Sequence, residues 1–180
     1  AAKIAQLRPL ARVLEDARES LSQRVIHGDP KVANFLFAAE GDQVISLIDL
    51  DTVKPGLLLH DLGDCLRSCC NPLGEGHGDV EAIRFVPELF TALMSGYLEQ
   101  AGDLLNSMDR ALLVSSAAVI SFELGLRFFT DHLAGNRYFN ITRPGQNLHR
   151  ARVQLQLTQS ILRQRQQLEQ VLQTLLGKNC

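Results

Sequence analysis

Residues His27-Gly28-Asp29-Pro30-Lys31-Val32-Ala33-Asn34 fit the pattern H-x-D-x-K-x-x-N, and Ile48-Asp49-Leu50-Asp51 follows with Asp49 fifteen residues after Asn34. These types in this order suit phosphoryl transfer to a hydroxyl. Such a transfer needs a carboxylate to orient the alcohol and accept its proton, and oxygen ligands for a Mg²⁺ that bridges the phosphates. Asp29 is the candidate base, and Asn34 and Asp49 are the candidate metal ligands. Lys31, two residues past the base, can point a cation at the transferred phosphate. Read alone, His27 fits a hydrogen-bonded core histidine, and Asp-Pro or Asp-Gly pairs favour turns. The full combination of H-x-D, an Asn five residues on, a hairpin and then an apolar residue with Asp is much more specific.

The elements that must position these residues follow from periodicity. Arg24-Val25-Ile26 reads as a short strand leading into the motif. Asn34–Phe37 and Val44–Ile48 read as two more, joined across Gly41-Asp42 as a hairpin. Antiparallel partners lie about 5 Å apart, so the hairpin sets Asn34 beside Asp49. Upstream, Ile4–Ser22 repeats apolar residues at helical spacing, with Pro9 marking a start or kink. Downstream the pattern turns helical, over Leu59–Cys70, Val80–Arg84, Pro87–Ala101, Met108–Leu133 and Arg150–Leu176. Ser107 is the expected N-cap of the long helix, which ends at Ala134-Gly135-Asn136. Gln164 interrupts the apolar seam of the last helix. The expected fold is mainly α with a small β-hairpin.

Composition narrows the function classes. The 180 residues suit one domain and carry 46% hydrophobic and 21% charged side chains, an ordinary globular mixture. With 18 basic and 20 acidic residues the formal charge is −2, which gives no footprint for a nucleic-acid polymer or an anionic membrane. The apolar stretch Ala111–Phe129 contains Ser115, Ser116, Ser121, Glu123 and Arg127, so a buried helix is expected there rather than a membrane span. No secretory signal is visible, and Cys65, Cys69, Cys70 and Cys180 are expected as reduced thiols in a cytoplasmic setting. Their spacing, with His60 and His77 nearby, is a poor match to a zinc site. Gly74-Glu75-Gly76-His77-Gly78 is rich in glycine but lacks the strand-turn-helix context of a phosphate loop, and reads as a flexible linker.

The stretch His27–Asp64 resembles the aminoglycoside phosphotransferase and choline kinase superfamily, small-molecule kinases that share the protein-kinase catalytic lobe. Further segments look like its N-acetylhexosamine 1-kinase branch: Ile48–Gly56, His60-Asp61-Leu62-Gly63-Asp64, Gly125–Asp131 and Arg143–Leu148. The resemblance implies a kinase-like C-terminal lobe, ATP and Mg²⁺ as cofactors, and a sugar or amino-alcohol acceptor. It puts Asp29 at the base and Asn34 and Asp49 at the metal ligands. Acceptor contacts are implied at Asp29, Thr52, Arg127 and Tyr138. His27, Asp51, Asp61, Asp64 and Glu123 fall at supporting positions.

Glu123, Arg127 and Asp131 recur at four-residue spacing and so share one helix face. They fit a solvated stripe. With the resemblance, they also fit an Arg127 steered by two carboxylates toward the acceptor. Two other readings compete with a kinase: a non-catalytic binding module of the same fold, and a metal-dependent phosphohydrolase using His27 and Asp29. Asp29, Asn34 and Asp49 are all present, which disfavours the first. His60 and His77 do not complete a ligand set for the second. A kinase also needs a glycine-rich strand turn and a strand Lys to clamp nucleotide. The 26 residues before His27 read as a helix, so the chain is expected to be one lobe, inactive alone, with its nucleotide lobe elsewhere in the same protein and Ala1 at a cut or cloning boundary.

Overall fold

A computed structural model describes residues 2–178; Ala1, Asn179 and Cys180 lie outside it. The helices are α1 (Ala2–Leu7), α2 (Val13–Asp16), α3 (Leu58–Cys69), α4 (Pro87–Ala101), α5 (Ser107–Leu133), α6 (Gln146–Arg163) and α7 (Arg165–Lys178). The strands are β1 (Gln23–Ile26), β2 (Phe35–Phe37), β3 (Val44–Leu47) and β4 (Lys54–Leu57). The architecture is mainly α with a small antiparallel β portion, as the pattern predicts.

Helix α5 forms the axis and packs against α3 on one side and α6 on the other. Leu59, Leu66, Leu113, Ala118 and Leu157 meet there in full burial. Each such leucine contributes about 1.5–3 kcal/mol of transfer free energy. The close approach of α3 to α5 depends on Gly63, where a Cβ would lie 2.8 Å from Ser116 O and from Ile120 Cγ1. By length and composition α5 is also apolar enough to cross a membrane; in this fold its apolar faces are the core.

Two small sheets hold the front of the chain. The hairpin β2/β3 pairs Phe35 with Leu47 and Leu36 with Ser46, with a bulge before Phe37. Its turn places Gly41 at φ +89°, open to glycine. The pairing of β1 with β4 was not expected from the sequence, because Pro55 and Gly56 mask the strand pattern. Pro55 is tolerated because a two-stranded sheet consists of edges. This pairing sets Ile26 opposite Lys54 and so carries the motif alongside Thr52.

Other elements differ from the periodicity. The front helix is broken into α1, a 3₁₀ turn over Arg8–Arg12, α2 and a second 3₁₀ turn over Arg18–Ser20. Pro9 supplies no N–H and clashes with a helical carbonyl behind it, which accounts for the first break. Val80–Arg84 is not helical: Ile83 and Phe85 are buried, and Phe85 N donates to Ser160 Oγ at 3.0 Å. The last helix starts at Gln146 and divides at Gln164, whose Nε2 donates to Phe85 O at 3.0 Å and to Ser160. The N-cap of α5 is Asn106 rather than Ser107. Asn106 Oδ1 accepts from Met108 N and Asp109 N, and Asp109 Oδ2 accepts from Asn106 N, closing a capping box. Asp109 Oδ1 also accepts from Ser22 N, which ties the entry of β1 to α5.

Candidate active site

The catalytic-loop segment is built by local hydrogen bonds. Gly28 has φ +86°, and a Cβ there would lie 2.7 Å from Thr52 O, so only glycine lets the two backbones approach. Thr52 Oγ1 donates to His27 O at 2.7 Å. Asp61, on the first turn of α3, accepts from His27 N at 2.6 Å and Gly28 N at 2.9 Å. Asp29 N donates to His27 Nδ1 at 3.3 Å. That bond leaves the ring proton on Nε2, which donates to Ile48 O at 2.9 Å. His27 is 8% exposed, so it is a core histidine that also bridges the loop to the residue before Asp49.

Asn34 Nδ2 donates to Asp29 O at 2.8 Å and reaches Asp29 Oδ2 at 3.3 Å. Asn34 O accepts from Ile48 N at 2.9 Å, which fixes the base of the hairpin and brings Asp49 to its side. Asp49 is exposed and sits in the left-handed region at φ 71°, ψ 55°. A non-glycine residue there stores of order 1 kcal/mol of strain, and such strain gathers at functional sites. Asp51 lies exposed on the 3₁₀ turn Leu50–Thr52.

Lys31 forms an ion pair with the Asp29 carboxylate. Burial alone lowers the Lys31 ammonium; the bond to Asp29 and the charges of Asp29, Asp49 and Asp64 outweigh it, and the net shift is upward. Lys31 is therefore a cation held over the carboxylate.

A cleft of about 580 Å³ opens between this loop, the start of α3, α5 and the segment after α5. Asp29, Lys31, Thr52, Asp64, Glu123, Arg127 and Tyr138 all line it. Asn34 joins through Asp29. His27, Asp49, Asp51 and Asp61 do not line it; His27 and Asp61 act from behind the loop. A hollow of about 610 Å³ between the start of α5 and α7 is shallower and, among the described residues, has Arg110 as its one charged lining residue; the acids and bases of the motif are not there.

The cleft also contains residues that spacing did not single out for it: Lys54, His60, Arg67, Glu75, Phe128, Phe139 and Arg150. Arg67, 3% exposed, pairs with Asp64 and with Glu75, each at 2.7 Å. Burial raises Asp64, and Arg67 only partly offsets it, so the net shift is upward. The Arg67–Asp64 spacing on α3 was readable; Glu75, arriving from a loop, was not. The same pair corrects the linker expectation for residues 74–78, because Glu75 is anchored and His149 Nε2 donates to His77 O at 2.6 Å.

Asp131 also departs from expectation. It accepts from the backbone N–H groups of Arg137, Tyr138 and Phe139 and from Asn147 Nδ2, at 2.9–3.0 Å. Burial pushes its carboxyl up, but those backbone donors win and hold it below its ordinary value. It therefore fastens the Tyr138 loop and does not steer Arg127. Arg127 instead stacks over Tyr138 and Phe139, at 5.6 and 5.4 Å, with Nη2 at 3.5 Å from the Tyr138 hydroxyl. Glu123, on the same helix face, is shifted up by burial against the opposing pull of Arg127.

Cys65, Cys69 and Cys70 are free thiols, with Cys65 Sγ and Cys69 Sγ 3.9 Å apart. Burial pushes Cys70 up to about 12, which makes it an inert packing residue.

The model of the phosphotransferase enzyme family (APH) matches residues 1–98, more than half of the chain. The match takes in the catalytic-loop segment, both small sheets and α3, and ends within α4. The α5 wall of the cleft, with Glu123, Arg127 and Tyr138, lies beyond it. With the motif, the fold and this match in agreement, the chain belongs to the phosphotransferase enzyme family.

Proposed function

We propose that the chain is the catalytic lobe of an ATP- and Mg²⁺-dependent kinase that phosphorylates a sugar hydroxyl, the anomeric one of an N-acetylhexosamine-like acceptor. The observation that carries this reading is the meeting of Asp29, Lys31, Thr52, Arg127 and Tyr138 in one cleft, with Asn34 hydrogen-bonded to Asp29. Family membership supports the phosphotransferase class.

In this reading Asp29 orients the attacking hydroxyl and takes its proton. Lys31, freed from Asp29 as substrates enter, supplies positive charge where the transferred phosphate gathers negative charge. Asn34 and Asp49 would hold Mg²⁺. Both hydrogen bonds of the Asn34 side chain use Nδ2, leaving its carbonyl oxygen to a cation, and Asp49 is presented by a strained turn. An amide and a carboxylate oxygen suit this hard cation, which draws its remaining ligands from phosphates and water. When bound, Mg²⁺ offsets charge developing on the phosphates. Thr52 and Tyr138 offer hydroxyls, and Arg127 a fork of donors, to a polyhydroxylated acceptor.

The test is a panel of sugars and amino alcohols with labelled ATP, using the protein expressed from its complete reading frame. Label appearing on a sugar, and lost without Mg²⁺, is the expected result. No transfer to any acceptor, with acceptor binding intact, favours a non-catalytic module instead.

A further inference from the structure

The cations of the cleft fall into two groups. Two of them are matched by carboxylates: Lys31 with Asp29, and Arg67 with Asp64 and Glu75. On the opposite wall Arg127 and Arg150 line the same cleft, and beside the loop Lys54 does so from β4; none of the three forms an ion pair among the described residues. Among the described residues Glu123 is the one carboxylate on that wall, and Asp131 is turned away into the loop.

The two guanidiniums are set in place by rings. Arg127 lies over Phe139 at 5.4 Å, Phe139 packs on Phe128 at 4.5 Å, and Arg150 lies over Phe128 at 5.4 Å. Arg150 Nη1 also donates to Asn140 O at 3.3 Å. Two tilted rings between two guanidiniums hold them in place without neutralising them, because a cation–π contact offers no counter-charge.

We infer that the acceptor is an anionic derivative of that sugar, one that also bears a carboxylate, and that Arg127 binds this carboxylate while Arg150 and Lys54 add longer-range attraction. The inference rests on the kinase reading above and narrows its acceptor class. A cationic amino sugar would add charge to a wall that already has two cations against one carboxylate. A neutral sugar would leave the guanidiniums without an anion. A carboxylate suits the planar fork of Arg, which binds it through two parallel hydrogen bonds.

The test is a ligand-observed NMR titration of this chain with three sugars that differ in charge: glucuronate, glucose and glucosamine, with ADP as a fourth arm. Glucuronate should bind tighter than glucose by on the order of fivefold, the range of one or two partly exposed ion pairs. Glucosamine should bind weakest. The glucuronate advantage should shrink at about 0.5 M salt, where such pairs are screened. Arg127→Ala should remove most of it and Arg127→Lys should restore part.

Three results would overturn the inference: glucosamine binding as well as glucuronate, an unchanged ranking in the Arg127→Ala/Arg150→Ala double variant, or a double variant that loses ADP and keeps the ranking. The last would assign the cations to the phosphates of the donor. Binding is read here without transfer, so the charge ranking stands or falls separately from the kinase reading, which the turnover of Asp29→Asn tests.

Discussion

Replacing Asp61 by Ala removes the acceptor that holds the catalytic loop to α3. Its two oxygens receive the N–H groups of His27 and Gly28 at 2.6 and 2.9 Å. A hydrogen bond to a charged group contributes about 1.5–3 kcal/mol net. His27 is buried, so its N–H would lose its partner outright, at about 2 kcal/mol. Gly28 is exposed and water can replace the carboxylate there, so about 1 kcal/mol is assigned to it. The sum is about 3 kcal/mol, and for a chain of this size each kcal/mol moves the midpoint by about 2–4 °C. Thermal unfolding followed by circular dichroism should therefore show Asp61→Ala melting about 6–12 °C below the parent. Asp61→Asn keeps one acceptor oxygen but turns an NH₂ group toward an N–H, and should fall between the two. A change of less than about 2 °C for Asp61→Ala, or Asn worse than Ala, would refute the claim that this carboxylate fastens the loop.

Gly63→Ala should destabilise the chain by about 1–3 kcal/mol in urea denaturation, since its Cβ meets the α5 backbone at 2.8 Å; a neutral result would mean that α3 can move away from α5 without loss. His60 is lowered from 6.5 by burial and by Arg18 and Lys54, so the unfolded chain binds its proton more readily than the folded one. Stability should consequently fall as the pH drops through and below 6.5, and His60→Gln should flatten that segment of the profile; identical profiles would remove His60 as the cause.

The local part of the site was legible because its signals are local. H-x-D-x-K-x-x-N, the hairpin turn at Gly41 and the Asp49 that follows all lie within a short stretch, and the structure brings Asn34 and Ile48 together as the hairpin requires. The far wall was partly legible: Arg127 and Tyr138 do line the cleft, though one carboxylate expected to steer Arg127 does not. Asp131 sits near the end of α5, where backbone N–H groups of the following loop compete for it, and helical spacing cannot register that competition. Glu75 and Arg150 reach the cleft from a loop and from α6, over sequence distances that no spacing rule covers. Strand β4 escaped for a different reason. Pro55 and Gly56 are poor strand residues, and pairing with β1 overrides that preference.

The measurement closest to the central claim is phosphoryl transfer from labelled ATP by the protein from its complete reading frame, comparing the parent with Asp29→Asn. Asparagine keeps the size of the side chain and cannot accept the proton. Turnover should fall by about 10²–10⁴, the range for loss of a positioned base, with the melting midpoint little changed. Turnover retained in Asp29→Asn would contradict the account, because among the described residues no other carboxylate of the cleft is bonded to Asn34 as Asp29 is.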